Sequence, residues 1–275
     1  MPRPVLSRRI LILGIAGITA GLFGLTACGM DWNNIFGSDE GEPAPAEPSS
    51  VLFIGNSLTF WHEVPTLFWE LSRASGREME VHQITRGGAS IQDHLEDEVT
   101  RDMVHSQVWD WVVLQGSSYA IAFPGYEDDF TALYQAFRDT IHASSPQARV
   151  IIYLDYALPT ISAGDVTYTY TEFQQMIHDG TMAVADALDL IVAPVGSAWD
   201  RVLAERPGIE LYDTDGLHPS VEASYLMASV YYAVIHRRRL TDIEYYGEIS
   251  NTLAIYLRGV AAEIVLENAS HWHLP

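Results

Sequence analysis

Residues 51–58 read Val51-Leu52-Phe53-Ile54-Gly55-Asn56-Ser57-Leu58: four large apolar side chains in a row, then a glycine, an amide and a hydroxyl. A short, continuous apolar run marks a strand buried on both faces, because a sheet with one wet side would alternate apolar and polar residues. Gly55 ends the run and lets the chain turn, which leaves Ser57 just beyond the strand. Similar runs recur at Met79 to Ile84, Trp111 to Leu114, Val150 to Leu154 and Leu190 to Ala193. Between them, Val64 to Ser75, Ile91 to His105, Glu127 to Ala143, Tyr170 to Leu188 and Ser197 to Glu205 carry apolar residues at helical spacing. Two further helical stretches follow, Pro219 to His236 and Thr252 to Glu267, the first with proline at a favourable first-turn position. Strands alternating with helices predict an α/β domain with a parallel sheet covered on both faces. In such a sheet, reactive groups gather on the loops at the carboxyl ends of the strands.

Ser57 stands at one such loop. A second loop, directly before a late helix, reads Asp215-Gly216-Leu217-His218-Pro219. An aspartate three residues before a histidine can hold the imidazole Nδ1–H and leave Nε2 outward as a base, which is the orienting role of a triad acid. A serine hydroxyl is inert without a base in hydrogen-bond reach. Only the fold can bring Ser57 and His218 together, since they lie at opposite ends of the domain.

In combination and in order, the Gly55-Asn56-Ser57-Leu58 block and the Asp215 to His218 block resemble the SGNH or GDSL-type hydrolases. The resemblance spans roughly Val51 to His236, with Asn56 where the family usually has aspartate. It implies a three-layer α/β/α sandwich of flavodoxin-like type with a five-stranded parallel sheet, and ester hydrolysis without metal or cofactor. By the same resemblance Ser57 is the nucleophile, His218 the base and Asp215 its orienting acid. The oxyanion hole would be built from the Ser57 N–H, a glycine N–H after the second strand and a side-chain amide after the third. Arg86-Gly87-Gly88-Ala89-Ser90 stands at the second place; Gly88 matches best, with Gly87 as the close alternative. At the third the family usually reads G-x-N, whereas this chain has Gln115-Gly116-Ser117-Ser118. Strict alignment would select Ser118. Gln115-Gly116 resembles the Q-G-E segment of the sialate and acetylxylan esterase branch, and glutamine offers the same amide donor as asparagine, so Gln115 is the preferred candidate.

Composition narrows the partners. The formal charge is −21, and the chain has no lysine, so all 15 basic side chains are arginine. That balance offers no basic footprint for phosphate neutralisation and argues against nucleic acid. Arg237 to Arg239 follow an apolar helix pattern and read as a helix C-terminus facing its own dipole.

At the amino end, Arg3, Arg8 and Arg9 precede an apolar run from Ile10 to Leu25, the pattern of a secretory signal. Leu25-Thr26-Ala27-Cys28 resembles the lipobox of bacterial lipoproteins, which implies cleavage before Cys28 and acylation of this sole cysteine. Ser7 to Leu11 also resembles a twin-arginine export signal, so the export route stays open. The stretch from Ser38 to Ser50 has no aliphatic residue larger than alanine and cannot build a core, so it reads as a tether. The expected organisation is a signal peptide at 1–27, a lipid-anchored tether at 28–50 and a hydrolase domain at 51–275. The expected location is the bacterial envelope, anchored to a membrane through Cys28 and facing outside the cytoplasm.

The remaining features divide between packing and chemistry. Asp155-Tyr156-Ala157-Leu158-Pro159 follows the fourth strand and should line the same rim or pack in the core. Trp109, Trp111, Tyr119 and Phe123 read as strand packing and a pocket wall. His271-Trp272-His273 lacks a third metal partner in sequence. Together these readings describe a carboxylic ester hydrolase working through an acyl-enzyme on short acyl esters, with O-acetyl groups of carbohydrate favoured by Gln115-Gly116. The alternatives are a lipase or lysophospholipase, and a non-catalytic binding lipoprotein on the same fold.

Overall fold

A computed structural model describes residues 49–116, 119–123 and 125–275. The expected signal peptide, Cys28, most of the tether and Ser118 lie outside the described residues. No helix among the described residues is long and apolar enough to cross a membrane.

The core is a five-stranded parallel sheet. In chain order its strands are β1 (Ser49–Gly55), β2 (Met79–Thr85), β3 (Trp111–Leu114), β4 (Arg149–Tyr153) and β7 (Ile191–Ala193), arranged in space as β2-β1-β3-β4-β7. Val51, Leu52, Phe53 and Ile54 are all fully buried, which requires cover on both faces of β1. Helices α2 (Val64–Ala74), α7 (Val195–Glu205), α8 (Val221–His236) and α9 (Asn251–Leu266) pack on one another. Phe53 meets this group, edge-on to Phe68 of α2 and to Tyr231 of α8. Helices α3 (Ile91–Glu96), α4 (Glu98–Val104), α5 (Glu127–Ser144) and α6 (Tyr170–Leu188) form a second connected group. Helix α8 is buried along nearly its whole length, so its sequence shows an apolar cylinder rather than a stripe.

This order makes β1 a topological switch point, with β2 on one side and β3 on the other, and a crevice opens beyond the carboxyl ends of such strands. A four-residue helix, α1 (Ser57–Phe60), starts immediately after β1.

Four expectations need correction. The stretch from Ile91 to His105 is two helices, because Asp97 takes an extended conformation and its side chain accepts the Thr100 N–H, capping α4. Pro219 lies outside α8, which is capped by Ser220 accepting from the Ala223 N–H. The first strand begins inside the expected tether: Ser49 and Ser50 pair with Met79 and Glu80 of β2, and the Ser50 N–H donates to the Asp110 carboxylate at 2.8 Å. Finally, an antiparallel hairpin, β5 (Thr160–Ala163) and β6 (Val166–Thr169), stands between β4 and α6 where no strands were expected. Its turn uses Gly164 at φ +59°, and its mostly exposed threonines and serine give little apolar signal.

Candidate active site

Ser57 is positioned by its neighbour Asn56, which is 2% exposed. Asn56 Oδ1 accepts the Leu58 N–H and caps α1, while Nδ2 donates to the Ala89 carbonyl. An ionised aspartate here would face that carbonyl without a proton to give, so the amide suits this buried position. The Asn56 N–H donates to Gln115 Oε1 at 2.9 Å, and the Thr59 hydroxyl donates to the same oxygen at 2.8 Å. One side chain from the end of β3 therefore grips both ends of the turn that carries Ser57. Gly55 makes this possible: a Cβ there would stand 2.5 Å from Gln115 Oε1 and 2.4 Å from Thr59 Oγ1.

The second loop is equally tied. Asp213 donates its N–H to the His218 carbonyl, Gly216 turns the chain at φ +70°, and Tyr212 bridges Pro219. Asp215 Oδ1 accepts the backbone N–H groups of Leu217 and His218, and Oδ2 lies 2.6 Å from His218 Nδ1. His218 Nε2 is 2.9 Å from Ser57 Oγ. Three side chains from the two ends of the domain thus form one hydrogen-bonded chain, Asp215 to His218 to Ser57. The His218 ring N–H, joined by the two backbone N–H groups, holds the Asp215 carboxyl down to a pKa of about 2.

Residues that the sequence did not single out, together with Tyr156 from the segment expected at the rim or in the core, complete the surroundings. The Trp61 indole stacks on His218 and donates its N–H to Asp213 at 2.8 Å. His62 and Glu63, which follow it, both take left-handed backbone conformations, at φ +50° and +55°. His94 of α3 is buried, with Nε2 2.8 Å from the Gly55 carbonyl and Nδ1 3.0 Å from Thr100 Oγ1. Burial lowers its pKa, so the ring is held neutral and braces the end of β1. Tyr156 stacks on Trp199 and donates its hydroxyl to the Leu217 carbonyl at 2.9 Å, tying the segment after β4 to the histidine loop. No local pattern marks Trp61 or His94, because each acts across a long sequence separation.

The oxyanion candidates sit as follows. Gly88 lies in the exposed turn after β2 at φ +71°, a conformation that favours glycine. Gly87 precedes it, and Ser90 closes the loop with a capping box to Asp93. Gln115 is buried; its Oε1 accepts from Asn56 and Thr59, and its Nε2 has no hydrogen-bond partner among the described residues. Of the aromatic group, Trp109 and Trp111 are buried at the β3 entrance, far from Ser57's end of the sheet, with Arg149 over the Trp111 ring. Tyr119 and Phe123 instead pack with Phe173 of α6 beside the hairpin. His271 pairs with His178, and His273 with Asp186. Among the described residues no three His, Cys, Asp or Glu side chains gather as metal ligands. Arg237 reaches Pro275 and Arg239 pairs with Glu267.

No protein-family model matches the chain, and no curated protein shows significant similarity to it. Solved structures do resemble it. A DUF4886 family protein from Bacteroides uniformis superposes with a TM-score of 0.68 at 17% identity, covering 79% of this chain and 95% of that one. A protein of Slackia heliotrinireducens assigned to the SGNH hydrolases gives a TM-score of 0.56 at 24% identity, over 67% of this chain and 97% of that one. The acetyl xylan esterase AlAXEase gives 0.51 at 17% identity, over 68% and 99%. At these identities the likeness is one of fold. The domain has the flavodoxin-like α/β/α fold found in SGNH-type hydrolases.

Proposed function

We propose that this protein is a carboxylic ester hydrolase of the SGNH type, acting on short acyl esters such as O-acetyl groups of carbohydrate. The observation that carries the reading is the Ser57–His218–Asp215 hydrogen-bonded chain at the switch point of the sheet. His218 Nε2 takes the Ser57 proton as Oγ attacks the ester carbonyl, and Asp215 stabilises the imidazolium that forms. The imidazolium then protonates the departing alcohol, leaving an acyl-Ser57. Water, deprotonated by His218, attacks that acyl group and releases the carboxylic acid and free Ser57. The Ser57 and Gly88 N–H groups and Gln115 Nε2 are the donors to the oxyanion.

The preference for acetyl esters rests on the Gln115-Gly116 resemblance and on likeness of fold to an acetyl xylan esterase. A fluorophosphonate probe tests the class: it should label Ser57 covalently and not the Ser57→Ala variant. Absence of labelling would favour the binding-lipoprotein reading. Rates rising steadily from acetyl to palmitoyl esters would favour the lipase or lysophospholipase reading. We further propose, from Leu25 to Cys28, that the domain is held to the bacterial envelope by acylated Cys28. Mass spectrometry of the mature amino terminus should show the lipid on Cys28 and none in Cys28→Ser.

A further inference from the structure

Behind the loops that hold Asn56 lies a cavity of 410 Å³. Ser90 and Gly116 form part of its wall, and each is one residue from an atom bonded to Asn56, so the cavity adjoins the nucleophile's turn. Its other walls are Ile91, Ile121, Leu133 and Ile177 together with the rings of Tyr119, Phe130, Tyr134 and Tyr153. Asp155 lies among them, 5% exposed. Its Oδ1 accepts the Tyr156 N–H, but Oδ2 has no hydrogen-bond partner among the described residues, and neither does the Tyr153 hydroxyl. A second acid, Asp129, lines the exposed side. No arginine or histidine is among the lining residues, and the chain has no lysine.

A buried carboxyl oxygen without a donor costs free energy unless something brings one. Among the described residues the Tyr153 hydroxyl stands near this oxygen without making a regular hydrogen bond to it, and the carboxyl, this phenol and several aromatic faces converge on one space large enough for a small organic group. We propose that this cavity is the subsite for a protonated amine carried by the ester substrate, with Asp155 as its counter-ion and the tyrosine and phenylalanine rings as its walls. A hydroxyl would satisfy the hydrogen bond alone. An ammonium group gains in addition the charge attraction to Asp155 and the attraction of the ring faces. The assignment of the amine to a substrate rests on the ester hydrolase reading; the binding of the amine does not.

Burial raises the Asp155 carboxyl from the ordinary 3.8 to about 7, with the Tyr156 N–H and the nearby Tyr153 hydroxyl opposing the rise. The tyrosines on which its charge acts, Tyr119, Tyr134, Tyr156, Tyr212 and Tyr231, are all raised chiefly by burial and are neutral across the physiological range. Amine binding should therefore strengthen with pH as Asp155 ionises.

The test uses benzylamine and its neutral isostere benzyl alcohol on the full protein, followed by calorimetry, with p-nitrophenyl acetate hydrolysis measured beside it. Benzylamine should bind about tenfold or more tightly than benzyl alcohol near pH 8, lose most of that advantage near pH 6, and raise KM for the ester. Asp155→Asn, checked for folding by circular dichroism, should bind the two compounds equally. Equal binding by the parent protein, tighter binding of the alcohol, or binding of neither would overturn the proposal, and the pH series in the parent decides it without the variant. If benzylamine binds as expected but no ester is cleaved, the hydrolase reading fails and the amine site stands. If p-nitrophenyl acetate is cleaved while benzylamine binds no better than benzyl alcohol, the amine site alone fails.

Discussion

The Trp61 indole lies flat on the His218 imidazole, with ring centroids 4.1 Å apart and planes 14° from parallel. A base that becomes cationic during turnover gains from a ring face held against it, by ~0.5–2 kcal/mol. Trp61→Ala should therefore lower kcat by about tenfold, while Trp61→Phe, which keeps a ring face, recovers most of the loss. An unchanged kcat in Trp61→Ala would show that the stack is packing alone.

Ser57→Ala and His218→Ala should each abolish ester turnover to within a background several orders of magnitude below the parent, and the double variant should be no worse than either. Asp215→Asn should cost about 10⁴-fold, because an amide cannot hold the same imidazole tautomer. With its pKa at about 2, Asp215 stays ionised over the working range: its interaction is complete above the ordinary carboxylate value and is lost only as pH falls through about 2. Any loss of rate between about pH 5 and 7 must then come from another group.

Gln115 has two separable duties. If Nε2 donates to the oxyanion, Gln115→Ala should lower kcat by about 10²- to 10³-fold with little change in KM. The same change strips the acceptor from the buried Asn56 N–H, so the melt should also fall, by ~1–3 kcal/mol of stability. Thr59→Val removes a hydrogen bond to Oε1 and no oxyanion donor, and should move stability with little effect on rate. A strong rate loss in Ser118→Ala with a mild one in Gln115→Ala would return the oxyanion role to Ser118.

The raised carboxyl of Asp155 makes stability fall as pH rises. Between about 4 and 7 the folded protein holds a proton that the unfolded chain has released, so the native state is progressively disfavoured up to about pH 7 and no further above it. Asp155→Asn removes this drain and keeps the acceptor for the Tyr156 N–H. Its advantage over the parent in urea melts should be near zero at about pH 4 and ~1–4 kcal/mol at about pH 8. A constant difference across that range would contradict the assignment.

Much of the architecture is legible in the chain because the parallel strands are buried on both faces and stand out as unbroken apolar runs. Asp97 hid the break between α3 and α4, since a capping aspartate inside an amphipathic stretch looks like one more polar helix residue. The β5–β6 hairpin was missed because Thr160, Ser162, Thr167 and Thr169 resemble a loop in composition. Ser57, Asp215 and His218 are visible as two local motifs, and their meeting is a property of the sheet. Trp61, His94 and Asp213 carry no local signal, as each is defined by a partner brought near only by folding, and Tyr156 was legible only as part of the segment after β4.

The grip of Gln115 on Asn56 and Thr59 also fixes how the protein should fail under heat. The nucleophile's turn hangs from a side chain at the end of β3, in the middle of the most deeply buried part of the sheet, rather than from a surface loop that frays on its own. Inactivation and global unfolding should then share one midpoint, and catalytic competence becomes a direct gauge of whether the central strands are still paired.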